Sequence, residues 1–424
     1  MSLRLLTLAT LATVALGLAA STETASAARH PRTLAVSSDG SFLRAERALA
    51  RTGGTIVLLP RLYHRLTISA RSRRPLRIVG TRGARVEQVY MYGTQRVSFG
   101  RITLGPIRGN ALVELHKSLD VVLHDLVVTA RGGRRSSSIL VADSRRVTIR
   151  DSDFSHCGDW SRAFVNCVTL WRWSHDVVIE GNRFHDCRGC DFVHGRFGSR
   201  LTIRDNTFDR SLPCRIKPYR CGHQDLVQLF AGRHLRVTGN RFGVYRDGGA
   251  QLYLTGSVDY ATIVNNVFLA TDPRVPGYRA RMGIVVGSNR SRRLPEYARI
   301  VNNTILSGAL RRDGYAGSIR MSSRYGAVPH WKRPVVANNV LALLETPGRV
   351  CAGSQRFLDN VVVRGRSCTP ADLVGPAGLD GRGRPRAGSP VIDGANRHFA
   401  PARDSTGRRR GSLPDIGAFE FRAG

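Results

Sequence analysis

Lysine is nearly missing from this 424-residue chain: Lys117, Lys217 and Lys332 are the three among 65 basic residues, the rest being arginine. Acidic residues are also scarce, 31 in all, which leaves a net charge of +34. The arginines occur in nearly every segment, in turns and between strand-like runs. A nucleic-acid module gathers its charge into one block or face, so no specific nucleic-acid partner is expected. Most of this charge reads as solvated surface, and the positive field that remains favours a polyanion such as an acidic polysaccharide, teichoic acid or nucleic acid.

Long apolar runs are missing beyond residue 27, which excludes a membrane span in the rest of the chain. The one apolar run, Leu5 to Ala20, follows Arg4 and precedes Ala25-Ser26-Ala27, a small-x-small cleavage signal. Residues 1–27 therefore read as a secretory signal peptide, and the mature chain is expected to be extracellular. Long amphipathic helices are missing after residue 51, which excludes helical solenoids. A zinc centre lacks its second half: Cys187-Arg-Gly-Cys190 has no other CxxC and no spaced histidine pair to complete a tetrahedral set. The eight cysteines are even in number and lie in the exported portion, so they read as disulfides.

What is present is a repeated phrase. It appears as "VTIRDSDF", "VVIEGNRF", "LTIRDNTF", "LRVTGNRF", "ATIVNNVF" and "ARIVNNTI", then more loosely as "PVVANNVL" and "RFLDNVVV", with weaker early copies in "RVSFGRITL" and "DVVLHDLVV". Each copy is two alternating apolar residues, a polar bend and a further apolar residue, the pattern of strand, turn and strand. The turn positions are Ser152, Asn182, Asn206, Asn240, Asn266, Asn303, Asn339 and Asn360. Their unequal spacing fits a fixed set of strands joined by loops of different length. Units of this size bury their apolar face by stacking, which predicts a solenoid of parallel β-coils. Each turn asparagine would then lie above the last, its amide bonding its neighbours along the axis.

The pattern resembles the right-handed parallel β-helix, or pectate-lyase-like, superfamily from about Ser37 to Phe421. "SSDGSFLRAERALARTGGTIVLLP" is similar to the start of such proteins, a short helix capping the open end followed by the first strand, and "GSPVIDGA…DSTGRRRGSLPDIGAFEF" is similar to a C-terminal segment found in secreted members. The expectation is an all-β, single-stranded right-handed parallel β-helix of about ten coils with an N-terminal capping helix. It would span residues 28–370 after a 1–27 signal peptide, followed by a β-helix-associated segment, 371–424. The fold alone does not fix a function, since it carries lyases, hydrolases, epimerases and adhesins.

Counting from the turn asparagines places residues on top of one another. Cys157 stacks on Cys187 and Cys167 on Cys190, which predicts two inter-coil disulfides at the spacing of adjacent strands. Cys214–Cys221 would close a small loop and Cys351–Cys368 a late coil. Asp191 and Asp225 stand 15 residues before Asn206 and Asn240, and His194 and Gln228 stand 12 before them, so each pair stacks. Gln251 extends the column, with Tyr253 beside it. Two carboxylates this close share a proton, as an acid and a nucleophile of a retaining glycosidase do, or hold a cation such as Ca²⁺. A purely structural polar ladder is the competing reading.

The loop "CRIKPYRCGH" adds Arg215, Lys217, Tyr219, Arg220 and His223. In uronate lyases of this superfamily a Lys or Arg removes the proton beside the carboxyl group. The resemblance thus implies Lys217 as a base, with His223 as an alternative base or a donor to the leaving oxygen, although no lyase motif matches residue by residue. Trp160, Trp171, Trp173, Tyr219 and Tyr253 supply rings for sugar faces, Trp171 being also a candidate for the core. The resulting expectation is a secreted, monomeric protein acting on an acidic polysaccharide. Elimination is favoured over hydrolysis because arginine holds a uronate carboxylate in bidentate fashion, and a non-catalytic polysaccharide-binding or cell-surface role is the alternative.

Overall fold

The computed structural model describes residues 31–106, 111–129, 137–157, 166–212, 224–245, 249–272, 280, 282–288, 295–307, 317–323, 332–344, 351 and 356–422. The expected signal peptide lies outside them. Residues 32–424 form one compact unit. Among the described residues no helix is long and apolar enough to cross a membrane.

The unit is a parallel β-helix. Strands of successive coils pair in parallel and in register, in a 21-stranded sheet that turns a corner and a 13-stranded sheet across the core. Ten of the 13 strands belong to the repeated phrases. The other three, Leu62–Tyr63, Arg85–Val86 and Leu373–Val374, belong to coils with no asparagine at the turn. Alternation does the sorting: in the run from Val147 to Phe154 the side chains of Val147, Ile149 and Phe154 are fully buried while Arg150 and Asp151 are not. Helix α1 (Asp39–Leu49) covers the first coil. Its cap is Ser38, which exchanges hydrogen bonds with Ser41, and it buries Phe42, Ala45 and Leu49 against the end of the core. Without it the first coil would expose apolar residues and an unpaired strand edge.

Each repeated turn is built the same way. The residue before the ladder position adopts a left-handed conformation, at Asp151, Gly181, Asp205, Gly239, Asn265, Asn302, Asn338 and Asp359, where Gly, Asn and Asp are tolerated best. The next side chain then turns inward. Asn206 accepts the Asn182 backbone N–H and side-chain N–H at 3.0 Å, and donates to Asn240 Oδ1 at 3.0 Å and to the Ile179 carbonyl at 2.8 Å. The same bonds continue through Asn266, Asn303, Asn339 and Asn360. Asp372 ends the row by accepting from both nitrogens of Asn360. Two residues further along each turn, Phe154, Phe184, Phe208, Phe242 and Phe268 stack face to face, with centroids 4.4–5.0 Å apart.

The last stretch runs back along the outside of the coils. Asn265 donates to the Arg403 carbonyl, Asn302 to those of Asp415 and Gly417, and Asn338 to that of Asn396, while Asn396 donates to Asp359. Arg410 is buried beneath it. It pairs with Glu420 at 2.8 Å and donates to Asn265 Oδ1 and to the Gly417 and Asp415 carbonyls.

Candidate functional site

The candidate centre lies on the outward side of one strand column. The strand Val193–Arg204 pairs with Val227–Thr238 so that Val193 faces Val227 and His194 faces Gln228. Thr169 precedes His194 in this row, and Tyr253 follows Gln228. Asp191 and Asp225, two residues before those valines, are adjacent as the spacing predicts: the Asp225 N–H donates to Asp191 Oδ1 at 2.8 Å.

The expected open carboxylate pair is corrected. Both aspartates are buried, at 4% and 1% exposure, and they form a second ladder. Asn166 Oδ1 accepts from the Asp191 N–H, Asp191 Oδ1 from Asp225, and Asp225 Oδ1 from Ala250. These bonds satisfy strand-end donors that would otherwise be buried unpaired. The residues also do not fit calcium, which takes six to eight oxygens. Asp191 Oδ1 is engaged by Asp225 and Oδ2 by His194, and among the described residues the one gathered group of potential metal ligands is Cys167, Cys187 and Cys190.

What the ladder positions is His194. Its Nδ1 lies 2.6 Å from Asp191 Oδ2, and Phe230 meets the ring edge-on at 4.8 Å. With Nδ1–H donating to the carboxylate, Nε2 keeps a lone pair, and among the described residues it has no partner. The ring is partly exposed, its side chain at 22%. Arg196, two residues along the same strand, shares the outward face and is exposed, without an ion pair among the described residues. Gly195 between them has φ +132°, and a Cβ there would lie 1.9 Å from the Leu170 carbonyl oxygen, so the site requires glycine at this point. Sequence reading missed Arg196. The signal was strand alternation: if Val193 faces the core, His194 and Arg196 face out together.

His185 shows the contrast. Its Nε2 faces Asp153 at 2.9 Å and its Nδ1 faces Asp186 at 2.7 Å, so both ring nitrogens are engaged. Burial raises the Asp186 carboxyl, but the hydrogen bond from His185 and the charge of Arg210, 2.7 Å away, hold it below the usual carboxylate range. Flanked by two carboxylates, this ring has no free nitrogen to offer a substrate.

Other expectations divide. Tyr253 continues the row, while Gln251 does not and is corrected. A bulge between Leu229 and Ala231 adds one residue to the following coil, so Gln251 falls inside, fully buried, donating to the Gly243 and Leu269 carbonyls. Trp171 and Trp173 are both exposed, at 55% and 71%, so Trp171 is no core residue. Arg215, Lys217, Tyr219, Arg220, His223, Trp160, Cys214 and Cys221 lie outside the described residues.

The disulfides also differ. Cys157 bonds Cys167, and Cys187 bonds Cys190, with Cα atoms 5.1 and 6.1 Å apart. The expected Cys157–Cys187 and Cys167–Cys190 bridges are corrected. Val168 pairs with Val193, so the neighbour of Cys167 on the next coil is Phe192 rather than Cys190. The sulfurs of Cys167, Cys187 and Cys190 still lie within 4.8 Å of one another, so the two bridges pack together in the core. Cys351–Cys368 forms as expected.

Stacked parallel coils with an asparagine ladder along their turns are the geometry of a β-helix protein. The family described as right handed beta helix region matches residues 88–305, half of the chain or more, and this chain belongs to it. Among curated proteins no sequence matches. Of solved structures, a PL6 family alginate lyase, AlyGC, is 12% identical with a TM-score of 0.52. The alignment covers 91% of this chain, which spans 58% of the length of that lyase. A pectate lyase from Xanthomonas campestris is 13% identical with a TM-score of 0.38, covering 70% of this chain and 82% of its own. PfbA, a surface adhesin of Streptococcus pneumoniae, is 10% identical with a TM-score of 0.37, covering 78% and 89%. At these identities the likeness is one of fold.

Proposed function

We propose that this protein acts outside the cell on an acidic polysaccharide and cleaves it by β-elimination, with His194 as the base. The observation that carries this reading is the Asp191–His194 contact on the outward face. A buried carboxylate fixes the imidazole tautomer and leaves Nε2 as the proton acceptor. The proton beside the uronate carboxyl passes to Nε2, a carbon–carbon double bond forms, and the bond to the glycosidic oxygen breaks. That oxygen takes up a proton, for which His223 and Lys217 are the candidates from the sequence. Arg196 holds the carboxylate, and its fixed charge favours loss of the neighbouring proton. Trp171, Tyr219, Arg215 and Arg220 are assigned to sugar contacts, whereas Gln228 and Tyr253, expected to contact sugar, are buried at 3% and 8% exposure and back the row instead. Hydrolysis by a carboxylate pair is disfavoured because Asp191 and Asp225 are both engaged with backbone donors.

A panel of polyuronates, followed for the ultraviolet absorbance of unsaturated uronates and for reducing ends, tests the reading. Growth of both signals is expected, with His194→Ala lowering turnover by about 10²- to 10⁴-fold and Arg196→Ala acting mainly through KM. Reducing ends without absorbance would mean hydrolysis. Binding with neither signal would make the rod a binding platform.

A further inference from the structure

The corner where the 21-stranded sheet turns has a charge pattern that changes along the rod. From Asp120 onward several of its arginines are paired with aspartates on adjacent coils. Arg146 grips Asp120 with two nitrogens, Arg200 does the same to Asp176, and Arg172 meets Asp143 at 3.2 Å. In the first coils these partners are missing. Residues 61–101 contain ten arginines and one acidic residue, Glu87, which is buried against His64.

Three of these arginines, together with Arg51, lie where the strand Arg71–Gly80 bulges. Arg71 pairs with Gln95 and Leu76 with Val97, so residues 72–75 protrude. The bulge is fastened from below and above. Ser72 donates to the Arg51 carbonyl at 3.0 Å, Arg96 donates to the Arg73 carbonyl at 3.2 Å, and Arg71 Nε donates to the Gly93 carbonyl at 3.1 Å. Arg51, Arg71, Arg73 and Arg74 are exposed there, and among the described residues none has a carboxylate at ion-pair distance. The protrusion is thus held in shape while the guanidinium groups of Arg51, Arg73 and Arg74 stay open. Tyr92, 44% exposed and beneath Lys117 Nζ at 5.6 Å, adjoins Gly93 on the next coil.

We propose that this bulge is a remote binding site for the carboxylate groups of an acidic polysaccharide, separate from the His194 centre and feeding it. The inference rests on the polyuronate reading above. The geometry favours a glycan over a nucleic acid because the site is linked toward His194 by one row of paired strand positions that carries the exposed rings of Tyr92 and Trp171. Tyr92 pairs with His116, His116 with the buried Ala142, and Ala142 with the exposed Trp171, while Leu170 beside Trp171 pairs with Gly195 beside Arg196. The row steps about 4.8 Å per coil, close to one pyranose of an extended chain, so a polymer lying along it meets charge at the bulge, Trp171 on the way, and Arg196 at the end. Guanidinium forks suit carboxylates.

The triple variant Arg51→Ser, Arg73→Ser, Arg74→Ser tests this. These side chains donate no hydrogen bond within the described residues, so circular dichroism should be unchanged. Affinity electrophoresis in gels containing polygalacturonate or alginate should show binding weakened by roughly tenfold, taking exposed charge pairs at their usual strength. A neutral glucan should retard neither protein. KM for a long polyuronate should rise, while turnover of an oligomer too short to span four coils should stay at the wild-type level. Unchanged polyuronate affinity overturns the proposal. So does a single-stranded oligonucleotide that binds more tightly than polyuronate and loses the same factor in the variant. Failure of the elimination reading is seen separately: no protein, wild type included, would produce absorbance, while electrophoresis would still report on the bulge.

Discussion

Asn206 stands between two coils and closes four hydrogen bonds with Asn182, Asn240 and Ile179. Alanine in its place takes the acceptor from two Asn182 N–H groups and a donor from the Ile179 carbonyl on the same coil, while Asn240 Oδ1 keeps the backbone N–H of residue 206. Each unsatisfied group costs about 1–3 kcal/mol, so Asn206→Ala should lower unfolding free energy by roughly 3 kcal/mol or more, read from the urea midpoint. Asp205 next to it is exempt from this ladder, and Asp205→Gly should be nearly neutral because its left-handed φ suits glycine. A larger loss at Asp205 than at Asn206 would contradict the account. This row was legible in the sequence because each asparagine marks its own coil. The same counting placed Asp191 over Asp225 and His194 over Gln228, and failed at Gln251, where a bulge adds a residue that no spacing reveals. It also could not say that the aspartates turn inward, since a residue at a strand entrance has no alternation to read.

The element whose role the sequence concealed is the C-terminal stretch. The early turns read Asp-Ser, Gly-Asn or Asp-Asn, while three later ones read Asn-Asn, and the reason is visible only in the fold. The second asparagine joins the ladder and the first, Asn265, Asn302 or Asn338, binds the returning chain. Arg410 anchors that chain. Burial pulls its pKa below the usual guanidinium value, opposed by Glu420, Asp404 and Asp415 around it. Removing one partner of a buried pair costs about 3–5 kcal/mol. Arg410→Ala should therefore free the segment locally, seen as faster amide exchange and new proteolytic cuts near residues 396–421, while the early coils keep their protection. Equal exchange along the whole segment in both proteins would show that Arg410 is no anchor.

For the molecule as a whole, acid is the revealing condition. The hydrogen bond from Arg146 holds the Asp120 carboxyl below its ordinary value of 3.8, and that from Arg200 does the same for Asp176. A carboxyl depressed in the folded state stabilises it above the unfolded pKa, and that contribution is lost as pH falls through the folded value. Asp205 and Asp415 run the other way, raised by burial, so each favours the fold at low pH and loses that effect as pH rises. With a net charge of +34 already present, protonating the corner aspartates Asp120 and Asp176 adds self-repulsion. The thermal midpoint should fall steeply once pH drops below the ordinary aspartate range, and 0.5 M salt, used as a roughly tenfold change in screening strength, should recover part of it. A flat profile would show that the Arg–Asp corner contributes nothing to stability.

Asp372 gives the stacked rod a direction it could not otherwise have. Every asparagine before it both receives and passes on a hydrogen, so the row would invite another copy to continue it. A carboxylate receives but has nothing to pass on, and its other oxygen is occupied by the Cys368 N–H. A neighbouring molecule arriving at this end therefore meets a negative charge where fibre growth would need a donor, and the rod stays a finite object.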